Sequence, residues 1–217
     1  MRLSYSDIEL VVTLQVGPRI IRFGKIGKKN IFKEYPEQLG RTNEEIYHSY
    51  GGHRLWIAPE IAGRTDLPDN SMTALNQDKD TYIITAPIED RTFLQKEIRI
   101  SMNETNVIVE HRIYNQGLYP VTCAPWAITV MTEGGVGIVP QEEFQSHSQK
   151  LLPVRPLVLW AYTNMADDRW TWGQKMIKLS QREGGPQKIG ALVTKGWAAY
   201  SIESFLFVKQ FPCVQNA

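Results

Sequence analysis

Only two cysteines occur in the 217 residues, Cys123 and Cys213, and they stand far apart without C-x-x-C spacing. That excludes a disulfide framework and a cysteine-built zinc site, and leaves two buried or semi-buried thiols as the expectation. Charge of one sign is missing as well: 24 Lys and Arg face 23 Asp and Glu, a net charge of +1. Such a balance provides no long-range field for phosphate backbones, so nucleic acid is excluded as the main partner. The sequence also lacks an apolar run of about 18 residues, the length a membrane helix needs. Its first residues, MRLSYSDIELVV, lack the basic segment, apolar stretch and small-residue cleavage site of a signal peptide. A cytoplasmic protein without a membrane partner is the expectation.

Cofactor signatures are equally scarce. The four histidines, at 48, 53, 111 and 147, show no i,i+2 or i,i+4 pairing, and the carboxylates form no calcium-loop pattern. No metal is expected. Gly134-Gly135-Val136-Gly137 runs on to Pro140 instead of a helix, so it reads as a turn and not as a dinucleotide loop. No cofactor is expected. No Ser or Cys sits in a nucleophile-elbow context. Asn103-Glu104-Thr105 matches a glycosylation acceptor, a chance match in a cytosolic chain.

What is present is period-two alternation. Ile8, Leu10, Val12 and Leu14 are apolar at every second position, as in a strand whose side chains alternate between faces. Arg19 to Phe23 resumes the extended pattern after Gly17-Pro18. Leu94 to Ser101 and Val107 to Ile113 flank a turn and form the clearest hairpin. Further extended runs are expected over 81–86, 121–131, 157–162, 176–180, 188–193, 197–201 and 205–210. No window of a dozen residues has a 3.6 period; 37–47 is expected to supply at most a short helical turn. The polar segment 62–79 reads as a long surface loop. Many short strands separated by turns predict an all-β, antiparallel sandwich in one domain spanning 1–217. The apolar run Phe205-Leu206-Phe207-Val208 near the end is either an inner strand or a sign that the sandwich lacks its last strands.

Two segments concentrate chemically capable side chains. In Tyr50-Gly51-Gly52-His53-Arg54-Leu55-Trp56-Ile57-Ala58-Pro59-Glu60, paired glycines permit a sharp turn or a close approach. His53, Arg54, Trp56 and Glu60 there supply proton transfer, donation, stacking and a carboxylate. The structural alternative pairs Arg54 with Glu60 and buries Trp56. In the second segment Trp160, Tyr162, Asp167, Asp168, Arg169, Trp170 and Trp172 combine flat rings with charge. That suits a sugar, with its apolar C–H face and hydroxyl rim. The alternative is aromatic packing at a sheet rim. His111 shares the parity of Val107, Val109 and Ile113, as a satisfied core histidine would. Pro125 beside Trp126 signals a bulge or an edge strand.

With GGHRLWIAPE, VGPRIIRFG upstream and HRIYNQGLYPVTCAPWAITVM downstream, the chain resembles a bacterial domain-of-unknown-function family related to the aldose 1-epimerase (galactose mutarotase) superfamily. The likeness runs on through LWAYTNMADDRWTWGQK and KIGALVTKGWAAYSIESFLFVKQF. It implies a large antiparallel β-supersandwich of the mutarotase type and a small-molecule carbohydrate or glycan as partner. In mutarotases a carboxylate takes the anomeric hydroxyl proton while a histidine protonates the ring oxygen, which requires groups tuned near neutral pH. The resemblance makes Arg54 the best ligand contact and places Trp126 where the histidine of sugar-phosphate mutarotases stands. No counterpart of the late glutamate base occurs before Ala217, and the resemblance implies further β structure beyond it. His53 and Glu60 are the candidate replacement acid–base pair, with Arg54, Trp56, Trp126, Trp160, Asp168 and Trp170 as candidate substrate contacts. Three functions stay open: an aldose epimerase, a sugar-binding module without turnover, and a structural domain. The first two require His53, Arg54, Trp126 and Asp168 to line one pocket.

Overall fold

Where apolar and polar residues alternate, the backbone is extended. The computed structural model describes residues 1–104, 106–153 and 155–213, so Thr105 of the predicted acceptor motif lies outside the described residues. They divide into two compact units, Met1–Thr132 and Glu133–Ala217.

The first unit contains β1 (Arg2–Tyr5), β2 (Ile8–Thr13), β3 (Arg19–Lys25), β4 (His53–Ala58), β5 (Ala74–Asp78), β6 (Thr81–Thr85), β7 (Leu94–Met102), β8 (Val107–Asn115) and β9 (Ala124–Thr129). They form two antiparallel sheets, ordered β1-β2-β3-β4-β9 and β5-β6-β7-β8. β4 packs against β7 and β9 against β8 across the layers, which makes this unit a β-sandwich. Its interior holds Leu10, Leu55, Ile57, Ile84, Leu94, Ile98 and Ile100, all buried. The predicted β7–β8 hairpin has one unbroken register, from Leu94 opposite Asn115 to Met102 opposite Val107. Pro125 lies in β9, an edge of its sheet, where a residue without an N–H leaves no inner ladder bond unmade.

The second unit contains β10 (Val136–Pro140), β11 (Leu157–Leu159), β12 (Trp170–Trp172), β13 (Met176–Ser180), β14 (Ile189–Ala191), β15 (Trp197–Ile202) and β16 (Phe205–Gln210). An antiparallel sheet runs β12-β13-β10-β15-β16, and β11 pairs with β14. β16 is an edge strand, with Leu206 and Val208 exposed. Among the described residues the single helical element is one 3-10 turn, Pro36–Gln38, and no helix is long and apolar enough to cross a membrane. The chain is therefore all-β and antiparallel, as its alternation predicts.

Three local expectations are corrected. The predicted loop over 62–79 ends in β5, whose five residues are all exposed and so carry no apolar alternation to reveal them. The predicted turn at 134–137 keeps Gly134 as its left-handed corner and then enters β10, because Gly135 lets the backbone pass against the Tyr200 ring. The arm ahead of His53 is irregular over 39–50, and the helical turn within 37–47 amounts to the 3-10 turn alone.

Gly51 and Gly52 set the start of β4. Both are left-handed, with φ of +92° and +70°. A Cβ on Gly51 would stand 2.0 Å from the Lys33 carbonyl oxygen, and one on Gly52 2.2 Å from that of Ile20. The pair permits close passage of chain against chain. Gly52→Ala is expected to cost at least about 3 kcal/mol in urea unfolding, against about 1 kcal/mol for Gly63→Ala. Gly63 has φ +73° and open space around its Cβ position. Equal losses would contradict the close-approach account.

Candidate functional site

β4 has a buried residue at every position from His53 to Ile57, so both of its faces are covered. Successive side chains point to opposite faces. His53, Leu55 and Ile57 turn toward the second sheet. There His53 Nδ1 meets Thr129 Oγ1 at 2.8 Å, and its Nε2 meets His111 Nε2 at 2.8 Å. One imidazole must donate and the other accept, which joins the two layers by a polar bond beside apolar side chains. His111 is thus the partnered core histidine that its parity predicts.

Arg54 and Trp56 occupy the opposite face. Arg54 lies across from Arg19 on β3 and from Ile128 on β9, and Trp56 lies across from Trp126. This face is covered by the irregular segment 39–50 and the loop around Asp69, which Arg19 draws in. Arg19 is fully buried; its Nη1 donates to the carbonyls of Ser49 at 2.7 Å and Gly51 at 2.8 Å, while Nη2 reaches both carboxylate oxygens of Asp69 at 3.1 and 3.3 Å. Its guanidinium also stands 5.2 Å from the Tyr50 ring. Burial pulls the Arg19 guanidinium below its ordinary range; Asp69 opposes that shift and the like charge of Arg54 adds to it. Tyr50 closes the arrangement by donating its hydroxyl to the Arg41 carbonyl at 2.7 Å.

Arg54 has no such partners. It is 5% exposed, and its Nε and Nη1 are enclosed without a hydrogen-bond partner among the described residues. The guanidinium lies 4.3 Å from the Trp56 ring and 4.9 Å from the Tyr47 ring. Those rings lie 5.3 Å apart, and Trp126 stands 5.9 Å beyond Trp56. The Trp56 indole N–H and the Tyr47 hydroxyl are enclosed without partners too. Magnitudes show how unusual this is. Each ring contributes up to about 2 kcal/mol to a desolvated cation. An unpaired buried charge costs several kcal/mol, and each unmade buried donor about 1–3 kcal/mol more. The rings do not offset that cost. The cage thus holds donors without acceptors among the described residues, and one of its walls is Tyr47, half-buried on the irregular segment.

Glu60 does not join His53. The pair is separated by the whole of β4, roughly 17 Å at about 3.3 Å per residue, and Glu60 is exposed beyond its far end. His53 also faces away from Arg54. Nor does Arg54 pair with Glu60 as the structural alternative would have it.

The second predicted group lies in the second unit and is largely architectural. Trp170 is buried, donates its indole N–H to Gln187 Oε1 at 3.1 Å and stacks on Trp172 at 5.0 Å. Trp160 is half-buried, with the Lys188 ammonium 4.4 Å from its ring. The Asp168 side chain is 82% exposed and pairs with Arg182. It is Asp167 that engages Arg169, taking its Nε at 2.9 Å, its Nη2 at 2.7 Å and its backbone N–H at 3.0 Å. Those bonds hold the Asp167 carboxyl down at about 2. A cleft of about 360 Å³ nearby is lined by Trp172, Phe144, Arg155, Leu157 and Leu192 among others, and by none of Trp160, Asp168 and Trp170. Three of its polar side chains bond within the unit: Arg155 to the Gln174 carbonyl, Gln141 to the Gly173 carbonyl and Glu142 to Thr194.

No family model, curated protein or solved structure matches the chain. The single pocket expected of His53, Arg54, Trp126 and Asp168 does not form, because His53 turns to the face of β4 opposite Arg54; the geometry instead brings Arg54, Trp56 and Trp126 together and adds Tyr47 and Arg19. Arg19 could have been found from Val16-Gly17-Pro18-Arg19, a turn ending in an arginine among apolar residues. Tyr47 stands in a polar stretch and leaves no comparable signal.

Two outcomes are expected from this geometry. Arg19→Met should destabilise the fold by about 3–5 kcal/mol because it strands Asp69 and two carbonyls, whereas Arg54→Met should leave stability unchanged or raise it by about 1 kcal/mol. Urea unfolding of both variants checks this; a large loss from Arg54→Met would show that the cage is scaffold. For Asp167, a depressed folded pKa means its contribution is complete above its ordinary 3.8 and lost as pH falls through about 2. Melting temperatures of the wild type and Asp167→Asn should therefore converge between pH 4 and pH 2.

Proposed function

We propose that the protein recognises a small carbohydrate or glycan at the Arg54 cage, as a mutarotase-like β-sandwich protein of the cytoplasm. The observation that carries this reading is the set of enclosed donors on Arg54, Trp56 and Tyr47, without partners among the described residues, in a cluster of tilted rings. Hydroxyl and ring oxygens would satisfy those donors, and the apolar C–H face of a pyranose would lie on an indole. The resemblance at GGHRLWIAPE independently selects Arg54 as the sugar contact. The two free thiols, Cys123 and Cys213, suit a reducing compartment.

Recognition without turnover is the form the geometry favours. His53 is engaged with Thr129 and His111 on the face opposite Arg54, and Glu60 stands beyond the strand's end. A proton donor and acceptor must both reach the reacting sugar, and this pair does not flank the cage.

Calorimetric titration of the full chain with a panel of aldoses, sugar acids and sugar phosphates tests the reading. Binding by at least one member, lost in Arg54→Met and Trp56→Ala but kept in Trp160→Ala and Asp168→Ala, is expected. A panel without any binder would refute carbohydrate recognition. Acceleration of anomer exchange in NMR that disappears in His53→Gln would refute the assignment of turnover-free binding.

A further inference from the structure

We infer that the carbohydrate held by the Arg54 cage carries a single carboxylate, as in a uronic acid; the inference rests on the carbohydrate reading and names the class of sugar. The argument is one of charge. Two guanidiniums, Arg19 and Arg54, lie opposite one another on adjacent strands and are both buried. Cross-strand like charges repel, and the repulsion is stronger without water. One half-buried carboxylate, Asp69, faces Arg19, and both of its oxygens are taken by Arg19 Nη2. Glu44 on the covering segment, 38% exposed, sits 2.6 Å from His48 and 3.9 Å from Arg41, and Glu45 beside it is exposed. Tyr47 and Tyr50 bring hydroxyls and no charge at neutral pH.

The enclosed groups therefore sum to one positive charge, located on Arg54. A neutral sugar would satisfy hydrogen bonds and leave that charge uncompensated. A phosphate monoester, near two negative charges at neutral pH, would overcompensate and bury a net negative charge. A carboxylate matches in number and can take a planar guanidinium's N–H groups. Arg54 itself covers one face of Trp56, and the half-buried Trp126 stands 5.9 Å from Trp56, so a pyranose resting on Trp126 would direct its carboxylate toward the cation.

The test is calorimetry on the full chain with matched ligands: methyl glucuronide against methyl glucoside, methyl galacturonide against methyl galactoside, the methyl esters of both acids, and glucose 6-phosphate. The free acids are expected to bind at least about tenfold tighter than the neutral sugars and to lose that advantage on esterification or in Arg54→Gln. The ester comparison uses the unaltered protein, so it decides the matter even where the variant folds poorly. Equal binding of acids, esters and neutral sugars overturns the carboxylate and leaves carbohydrate recognition standing. Tighter binding of the phosphate than of either uronate also overturns it. No binding by any sugar overturns both.

Discussion

A buried arginine with all its charge compensated organises the first unit. Arg19 reaches from β3 to two carbonyls of the segment that leads into β4 and to the carboxylate of Asp69, 50 positions along the chain from it, and by doing so folds two irregular stretches onto the outer face of the sheet. Without that clamp, the face would be an open surface carrying Arg54, Trp56 and Trp126. With it, Arg54 and Trp56 are buried and Trp126 is half-buried. The left-handed glycines at 51 and 52 are a consequence of the same closure, since the carbonyls that Arg19 holds belong to backbone pressed against neighbouring strands.

The contrast between the two arginines separates scaffold from site. They occupy equivalent positions on paired strands and are buried alike, yet both terminal nitrogens of Arg19 have acceptors and only its Nε goes without, whereas among the described residues Arg54 has no acceptor. Evolution of a stable fold alone would replace the second, because a buried cation without a counter-charge is worse than an apolar residue of its volume. Stability sacrificed at one position is a common mark of a binding site.

The strands were legible because burial imposes period two, and long hairpins such as β7–β8 repeat it often enough to be unmistakable. What escaped had no such constraint: β5 is exposed on both faces, β1 is short and polar, and β12 lies inside an aromatic run whose rings pack on one another. Site residues followed the same logic. Arg54, Trp56 and Trp126 were readable because an arginine and tryptophans stand out in a strand of apolar residues, and their spacing puts them on one face. His53 was misassigned as a partner of Glu60 because nearness in sequence counts for little along an extended chain: seven residues on a helix would be two turns apart, and on a strand they are far separated. The second aromatic group showed the right composition, but its rings satisfy one another.

Floor and wall of the cage come from different kinds of structure. Arg54, Trp56 and Trp126 stand on paired strands, where a one-residue insertion would invert every side chain. Tyr47 stands on a segment without ladder bonds, where substitutions and insertions leave the sheet untouched. Selection for a different ligand therefore has an inexpensive route in 41–48. On the proposed sugar-binding reading, proteins built on this sheet can share a fixed cation while differing in which molecule they admit to it.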